Sequence, residues 1–386
     1  MIHHRVGFRN LLAVGVGVAL WLVGGGGAFA AYEVWVLDQG TNTLLIYGGD
    51  TLAADAQPER IDLASHGGAK PHMVVFSPQQ DYAFIANVAS GHVYVVRASD
   101  RKVVFNEDLG QQTHAVVPSP DGTRALAANQ NDKRLTEIVT EYGKGVFRVG
   151  RVLDLEQAPE LADANEFPDR APICGMFTAD GAKAYVTLRG GGIAVVTFPA
   201  KADQPLKVVK AFGKVKDGID AAGCGTARSA DGKRMYANSG SLAGGKFYVF
   251  DVAKDTLVTT SSLTDTGKDA HGVALAGKHV WVANRKDDTL AVLTPDGKVV
   301  GKIDGVGDAP DLLDVAPGGA RVFGTLRGPK PATGTHDIAG TTPGMVVLKV
   351  EDGGKTATRE FVIPIGDQSP ESSSDPHGIA VRKTGR

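Results

Sequence analysis

Apolar residues in this chain fall into short runs that stop at Gly, Asp, Asn or Ser, and the runs come in a repeating order. Each repeat opens on His, Cys or Asp and passes through an apolar strand to a turn of the Ser-Pro-Asp-Gly kind. A second apolar strand then ends on Asn or Thr. His72 leads into Met73–Phe76 and a strand closing at Asn87; His114 leads to Ser119-Pro120-Asp121-Gly122 and closes at Asn129. Cys174 runs through Asp180-Gly181 to Thr187, Cys224 through Asp231-Gly232 to Asn238, and His271 to Asn284. Asp311 passes Pro317-Gly318-Gly319 and reaches Thr325, and His377 begins a single strand, Gly378–Arg382.

The seven starts are 42, 60, 50, 47, 40 and 66 residues apart, the period of a four-stranded propeller blade with loop insertions. Two further strand-like runs lie between starts, such as His92–Val96 and Lys102–Phe105, or Thr289–Leu293 and Lys298–Gly301. Asp-Gly and Gly-Lys pairs punctuate them as hairpin turns. Tyr32–Asp38 has the character of a second strand, with Thr43–Tyr47 and Glu59–Leu63 after it. The two ends of the chain are therefore predicted to complete one blade, which closes the ring and hides edge strands that invite aggregation. The predicted fold class is all-β, a single seven-bladed β-propeller domain over residues 31–386.

Composition changes this picture little. A net charge of −2 gives no dense basic face, so nucleic acid is not an expected partner. Residues 1–30 read as an export signal: Arg5 and Arg9 precede the apolar run Leu11–Val23, and Ala28-Phe29-Ala30 supplies a cleavage pattern. The run is short and broken by glycines, so no membrane span is expected after signal removal, and the location expected is periplasmic or secreted. In an oxidising compartment Cys174 and Cys224 are disulfide candidates.

The repeat resembles that of the YVTN-repeat propellers, a WD40-like plan, and is similar to periplasmic YncE-like proteins. Ser119–Gly122 through Asn129, Ser229–Gly232 through Asn238 and Trp281–Asn284 carry the likeness, which covers essentially all of the mature chain. It implies the fold. The family includes ligand binders, electron-transfer subunits and metal carriers, so it implies no single function.

Blade geometry puts the loop entering strand one and the loop joining strands two and three on one face. The His/Cys/Asp column then rings one mouth of the central channel. His72, His114, His271 and His377 are candidate metal ligands, with Cys174, Cys224 and Asp311 in the same ring, because transition metals take imidazole, thiolate and carboxylate donors. Metal–nitrogen bonds of about 2 Å let three or four adjacent members converge, not the whole ring. Alternatively the histidines line a polar funnel and hydrogen-bond the neighbouring blade. Arg189, Arg285 and Arg327 follow the strand-two ends and, with Asp311, are candidates for binding an anionic ligand.

Counted back from Asp180-Gly181, Cys174 stands one place off the histidine column, although the shared Cys-Gly favours a shortened turn that restores it. Two long insertions reach the same face as lids or as surface decoration: Leu155–Ala171, and Leu326–Gly344 with His336 and Asp337. His66, His92, His279 and His336 read as surface residues. Gly190–Gly192 lacks the strand–turn–helix context of a nucleotide site, and no nucleophile elbow or zinc-protease motif is present. The expectation is an exported scaffold that binds a small ligand, a protein partner or a metal at the His/Cys/Asp mouth. The alternative is a copper-dependent periplasmic oxidoreductase on His72, His114, His271 and His377. A lactone hydrolase would need acidic metal ligands, of which the ring offers only Asp311.

Overall fold

In a computed structural model, the described residues form seven four-stranded antiparallel sheets arranged as the blades of a propeller. These residues are 1, 32–201, 203–220, 225–333 and 338–384; the export signal read over 1–30, Cys224, His336 and Asp337 lie outside them. In blades two to seven the chain runs strand by strand from the inside out. The second blade, for example, comprises Pro71–Phe76, Tyr82–Asn87, His92–Arg97 and Val103–Asp108.

The first blade joins the chain's two ends. Pro376–Lys383 forms its inner strand and pairs with Tyr32–Asp38, from Tyr32 opposite Lys383 to Asp38 opposite Pro376. Thr43–Gly48 and Glu59–Asp62 complete it. Closure by the two ends is as the strand count predicted.

Burial explains the apolar pattern. Middle strands are covered on both faces, so Tyr82–Asn87 is buried throughout, whereas the outer strand Thr256–Ser262 alternates between exposed and half-buried positions. A large apolar cluster fills each interface between neighbouring blades. Trp35, Leu37 and Ile46 of the first blade pack on Val74, Ile85 and Tyr94 of the second, and Val117 and Leu126 of the third on Phe177 and Val186 of the fourth. With the core between blades, the channel is left for polar residues.

The Ser-Pro-Asp-Gly turns are structural. Asp121, Asp180 and Asp231 each accept a hydroxyl bond from the Ser or Thr two places before, and the glycines that follow have φ of +71°, +69° and +71°.

The two insertions part company. Leu155, Leu161 and Phe167 are buried in the fourth blade's cluster, and Glu166 accepts backbone bonds from Val215 and Lys216, so 155–171 is decoration packed on that blade. The stretch after Leu326 instead brings Arg327, Ala332 and Thr333 to the channel mouth.

Candidate functional site

Each described inner strand of six blades carries a bulge where it enters the channel. The register slips between Pro71 and Met73, Thr113 and Ala115, Pro172 and Gly175, Ala270 and Val273, Pro310 and Leu313, and opposite Val36–Asp38. A bulge re-aims one side chain. The residue after the last common pair is His72, His114, Ile173, His271, Asp311 and His377. Ile173 therefore takes the ring position of the fourth blade and lines the mouth cavity. Cys174 stands one place further, 1% exposed and packed on Ala115 and Ile173. The shortened-turn reading that kept Cys174 in the column is thus corrected, because a bulge at Ile173 absorbs the extra residue. The pairing of Cys174 with Cys224 is a matter outside the described residues.

The backbone carbonyls of three ring residues are each approached by a glycine of the preceding blade. A Cβ on Gly272 would stand 2.4 Å from the Asp311 carbonyl oxygen, one on Gly378 2.7 Å from that of His72, and one on Gly225 2.0 Å from that of His271. Adjacent inner strands approach too closely at these points for any side chain.

A second tier sits above the ring. The residue that follows each strand-two end donates its N–H to the carbonyl two places before a ring residue: Gln39 to Asp375, Val88 to Lys70, Gln130 to Gln112, Arg189 to Ala171, Arg285 to Asp269 and Arg327 to Ala309. Lys70, Gln112, Asp269 and Ala309 adopt φ between +47° and +57° as they make this turn into the channel.

Five ring members touch in a chain. His72 and His377 stack with ring centroids 3.7 Å apart, and His271 meets His377 edge-on at 5.5 Å. Asp311 Oδ1 lies against His271 Nδ1, and its Oδ2 lies 3.5 Å from His377 Nε2. His271, Asp311 and His377 offer donor atoms that all lie within 4.8 Å of one another. On the far side His72 Nε2 is 3.1 Å from His114 Nε2, and Cys174 Sγ is 3.9 Å from His114 Nδ1.

The arginines separate in the same way. Arg327 holds Asp375 through Nε at 2.7 Å and Nη2 at 2.8 Å, and reaches Asp311 with Nη1 at 3.2 Å. Arg285 holds Asp269 at 2.7 Å and Asp311 at 3.5 Å. Arg189, one-third exposed, turns instead to Asp169 at 2.6 Å and Asn131 at 3.1 Å.

Hydrogen-bond direction fixes two tautomers. His377 Nδ1 is 2.8 Å from the His72 carbonyl oxygen, which can only accept, so Nδ1 carries the proton and Nε2 presents a lone pair to Asp311. Gln39 donates Nε2 to Asp375 at 2.8 Å, so its Oε1 accepts from His72 Nδ1 at 3.0 Å, and His72 Nε2 is likewise a lone pair. Burial pushes His377 down to about 3, a shift that Asp311 opposes and Arg327 reinforces. Burial and the neighbouring imidazoles of His377 and His114 hold His72 well below the usual histidine range. Burial alone would raise Asp311, but His271, His377, Arg285 and Arg327 together hold it well below the usual carboxylate range. Asp269, Asp311 and Asp375 are held by the guanidiniums of Arg285 and Arg327, with His271 Nδ1 against Asp311.

Of the four histidines proposed as metal ligands, His271 and His377 converge on Asp311, while His72 and His114 pair beside them. Gln39, Asp269, Asp375, Gln130, Thr333 and Ile173 were not anticipated. Asp269 and Asp375 carry a sequence signal, since each stands two places before a ring histidine. Gln39 has the same place after its strand as the three arginines. His66 is exposed, and His92 and His279 are partly exposed and bonded to Asn106 and the Gly353 carbonyl.

No protein-family model matches the chain, and no curated protein matches it. Among solved structures, a Bacteroides fragilis protein provisionally named 6-phosphogluconolactonase superposes with a TM-score of 0.68 at 15% identity, covering 92% of this chain and 98% of that one. A Bacteroides uniformis protein of the same provisional name gives 0.65 at 16%, covering 92% and 100%, and a Lactobacillus plantarum protein 0.65 at 13%, covering 92% and 99%. At such identities the likeness is one of fold, the seven-bladed β-propeller.

Proposed function

We propose that this protein is an exported propeller of the YVTN-repeat type that holds a metal cation in its channel mouth on His271, Asp311 and His377. The observation that carries the reading is the orientation of His377. Its Nε2 lone pair faces a carboxylate oxygen 3.5 Å away, deep in the protein. Arg327 Nη1 lies 3.2 Å from the same oxygen, but the lone pair and the oxygen still repel each other unless a proton or a metal ion lies between them. A cation satisfies both.

Two imidazoles and a carboxylate suit zinc, copper, iron or manganese, and the bond from His377 Nδ1–H to the His72 carbonyl is the outer contact that orients a ligating histidine. A lactonase reading has one acidic donor on the ring, Asp311, and is the weaker for it.

Chelator-stripped protein is expected to take up about one equivalent of Zn²⁺ or Cu²⁺ in titration calorimetry and elemental analysis. Loss of an outer contact alone typically costs about 10–100-fold in affinity, so Asp311→Asn and His377→Gln, which remove donors, should cost at least that. Full uptake by both folded variants would overturn the assignment. The copper-oxidoreductase alternative uses the same donors. It requires a copper EPR signal and turnover with an electron donor, whereas a holding role requires only occupancy.

A further inference from the structure

The tier above this group has a chemistry of its own. We infer that it binds a small organic acid, with a carboxylate at Arg285 and the carbon body against Val88, Ala89 and Ile173. The inference deepens the cation reading but uses it only to set the strength of binding.

Four observations support it. The mouth encloses a cavity of about 350 Å³, at the small end of ligand sites. Among the described residues, Lys70, Arg189, Arg285 and Arg327 line it against a single carboxylate, Asp269.

Arg285 is only 5% exposed and is fixed from behind by Asp269 and Asp311 through Nε and Nη1. Its Nη2 has no hydrogen-bond partner among the described residues, and Arg285 lines the cavity, so a buried guanidinium there keeps an unspent N–H pair. That is the arrangement that recognises an oxyanion with geometric specificity.

Gln130, also 5% exposed, lines the same cavity from the third blade, and its amide oxygen is buried without a hydrogen-bond partner among the described residues. A buried amide left in this state costs stability unless a ligand or water completes it. Around it stand Val88 and Ala89 from the second blade and Ile173 from the fourth. In a seven-membered ring these blades face the sixth, which carries Arg285. The mouth thus sets its two buried guanidiniums, Arg285 and Arg327, on the sixth and seventh blades, and on the second to fourth blades an amide and apolar side chains flanked by Lys70 and Arg189, a shape for an organic anion rather than a bare inorganic one.

The two sites share an atom. Arg285 Nη1 and His271 Nδ1 both reach Asp311 Oδ1. A cation held there with an open position would stand beside the guanidinium, and one carboxylate could contact both. Acid and metal then strengthen each other's binding by the same factor.

Titration calorimetry with succinate, its neutral isostere succinamide and inorganic phosphate, on metal-free and zinc-loaded full-length protein, tests this. Succinate is expected to bind both forms, at least about tenfold more tightly with zinc, with succinamide inert and phosphate weaker. Arg285→Gln and Gln130→Leu should each weaken succinate about tenfold or more. Gln130→Leu touches no ion pair and carries the test should Arg285→Gln fail to fold. Absence of succinate binding in both forms, or binding indifferent to both substitutions, overturns the inference. Phosphate binding as tightly as succinate, with Ile173→Asn inert, overturns the organic-acid assignment. Succinate binding through Arg285 in a protein that takes up no zinc would sink the cation reading and leave this one standing.

Discussion

The ring positions are equivalent in the repeat, yet the two sides of the channel differ. On the sixth, seventh, first and second blades, His271, Asp311, His377 and His72 are buried and joined by ion pairs, stacking and shared carboxylates. On the third and fourth blades, half-exposed His114 stands beside Ile173 and Cys174, and the nearby Arg189, at the cavity's edge, pairs with Asp169 rather than with a ring residue. The arginines show why. Arg285 and Arg327 turn into the channel because Asp311 draws both, and Asp269 and Asp375 hold their other edges. Arg189 has no ring carboxylate to meet and takes Asp169 from the insertion. One acid at one ring position polarises the whole mouth.

The largest effect should come from breaking that polarity directly. Arg327→Met leaves Asp311 and Asp375 buried with less compensation, and removing one partner of a buried pair costs about 3–5 kcal/mol. Arg189→Met breaks a partly exposed pair and should cost at most about 1 kcal/mol. Equal midpoint shifts for the two in urea unfolding would show that the sides are not energetically distinct.

Next come the glycines between inner strands. Gly272→Ala and Gly378→Ala drive a methyl into the Asp311 and His72 carbonyls and should cost about 1–3 kcal/mol. Gly175, on the quieter side, has its nearest neighbour 3.6 Å from the added methyl, so Gly175→Ala should stay within about 1 kcal/mol of the parent. Thermal melts of the three variants side by side decide whether strand approach follows the charged side.

A pH-dependent effect of similar size sharpens a contrast within one strand. Asp314 lies three places from Asp311 but, among the described residues, accepts hydrogen bonds only from the backbone N–H groups of Val381 and Val315. Burial outweighs those bonds and pushes it up to about 6. A carboxylate raised in the folded state contributes stability that is present below its ordinary value and lost as pH rises through 6. The stability of Asp314→Asn relative to the parent should therefore improve between pH 4 and pH 8 by about 1–3 kcal/mol, a range discounted for partial exposure. A flat difference across that range would place Asp314 with the ordinary carboxylates.

Much of this was legible in the sequence. The blade period and the apolar middle strands set the fold, and the strand tally at the two ends set its closure. The histidine column was legible because one residue type recurs at one place. Ile173 was not, since a bulge adds a residue to a strand without any compositional mark, and Cys174 beside it looked the better donor. Whether an arginine turns inward depends on an acid that arrives from another blade or an insertion, as Asp375 and Asp169 do, and local spacing does not report that. The insertion at 155–171 could have been read as packing from Leu155, Leu161 and Phe167, which a lid over a polar mouth would not need.

The strand that closes the ring also dictates an order of events. His72 and His377 are 305 residues apart in sequence and Gln39 and Asp375 are 336, so these contacts wait for nearly the whole chain. Folds dominated by such distant pairings assemble slowly, and during that wait the open ring exposes two unpaired strand edges. The polar chain from Arg327 through Asp375 to Gln39 and His72 crosses the seam once it forms. The same side chains that shape the mouth therefore latch the topology. Synthesis that stops short of the final strand leaves no partial site: the latch and the binding chemistry arrive together, in the last step of folding.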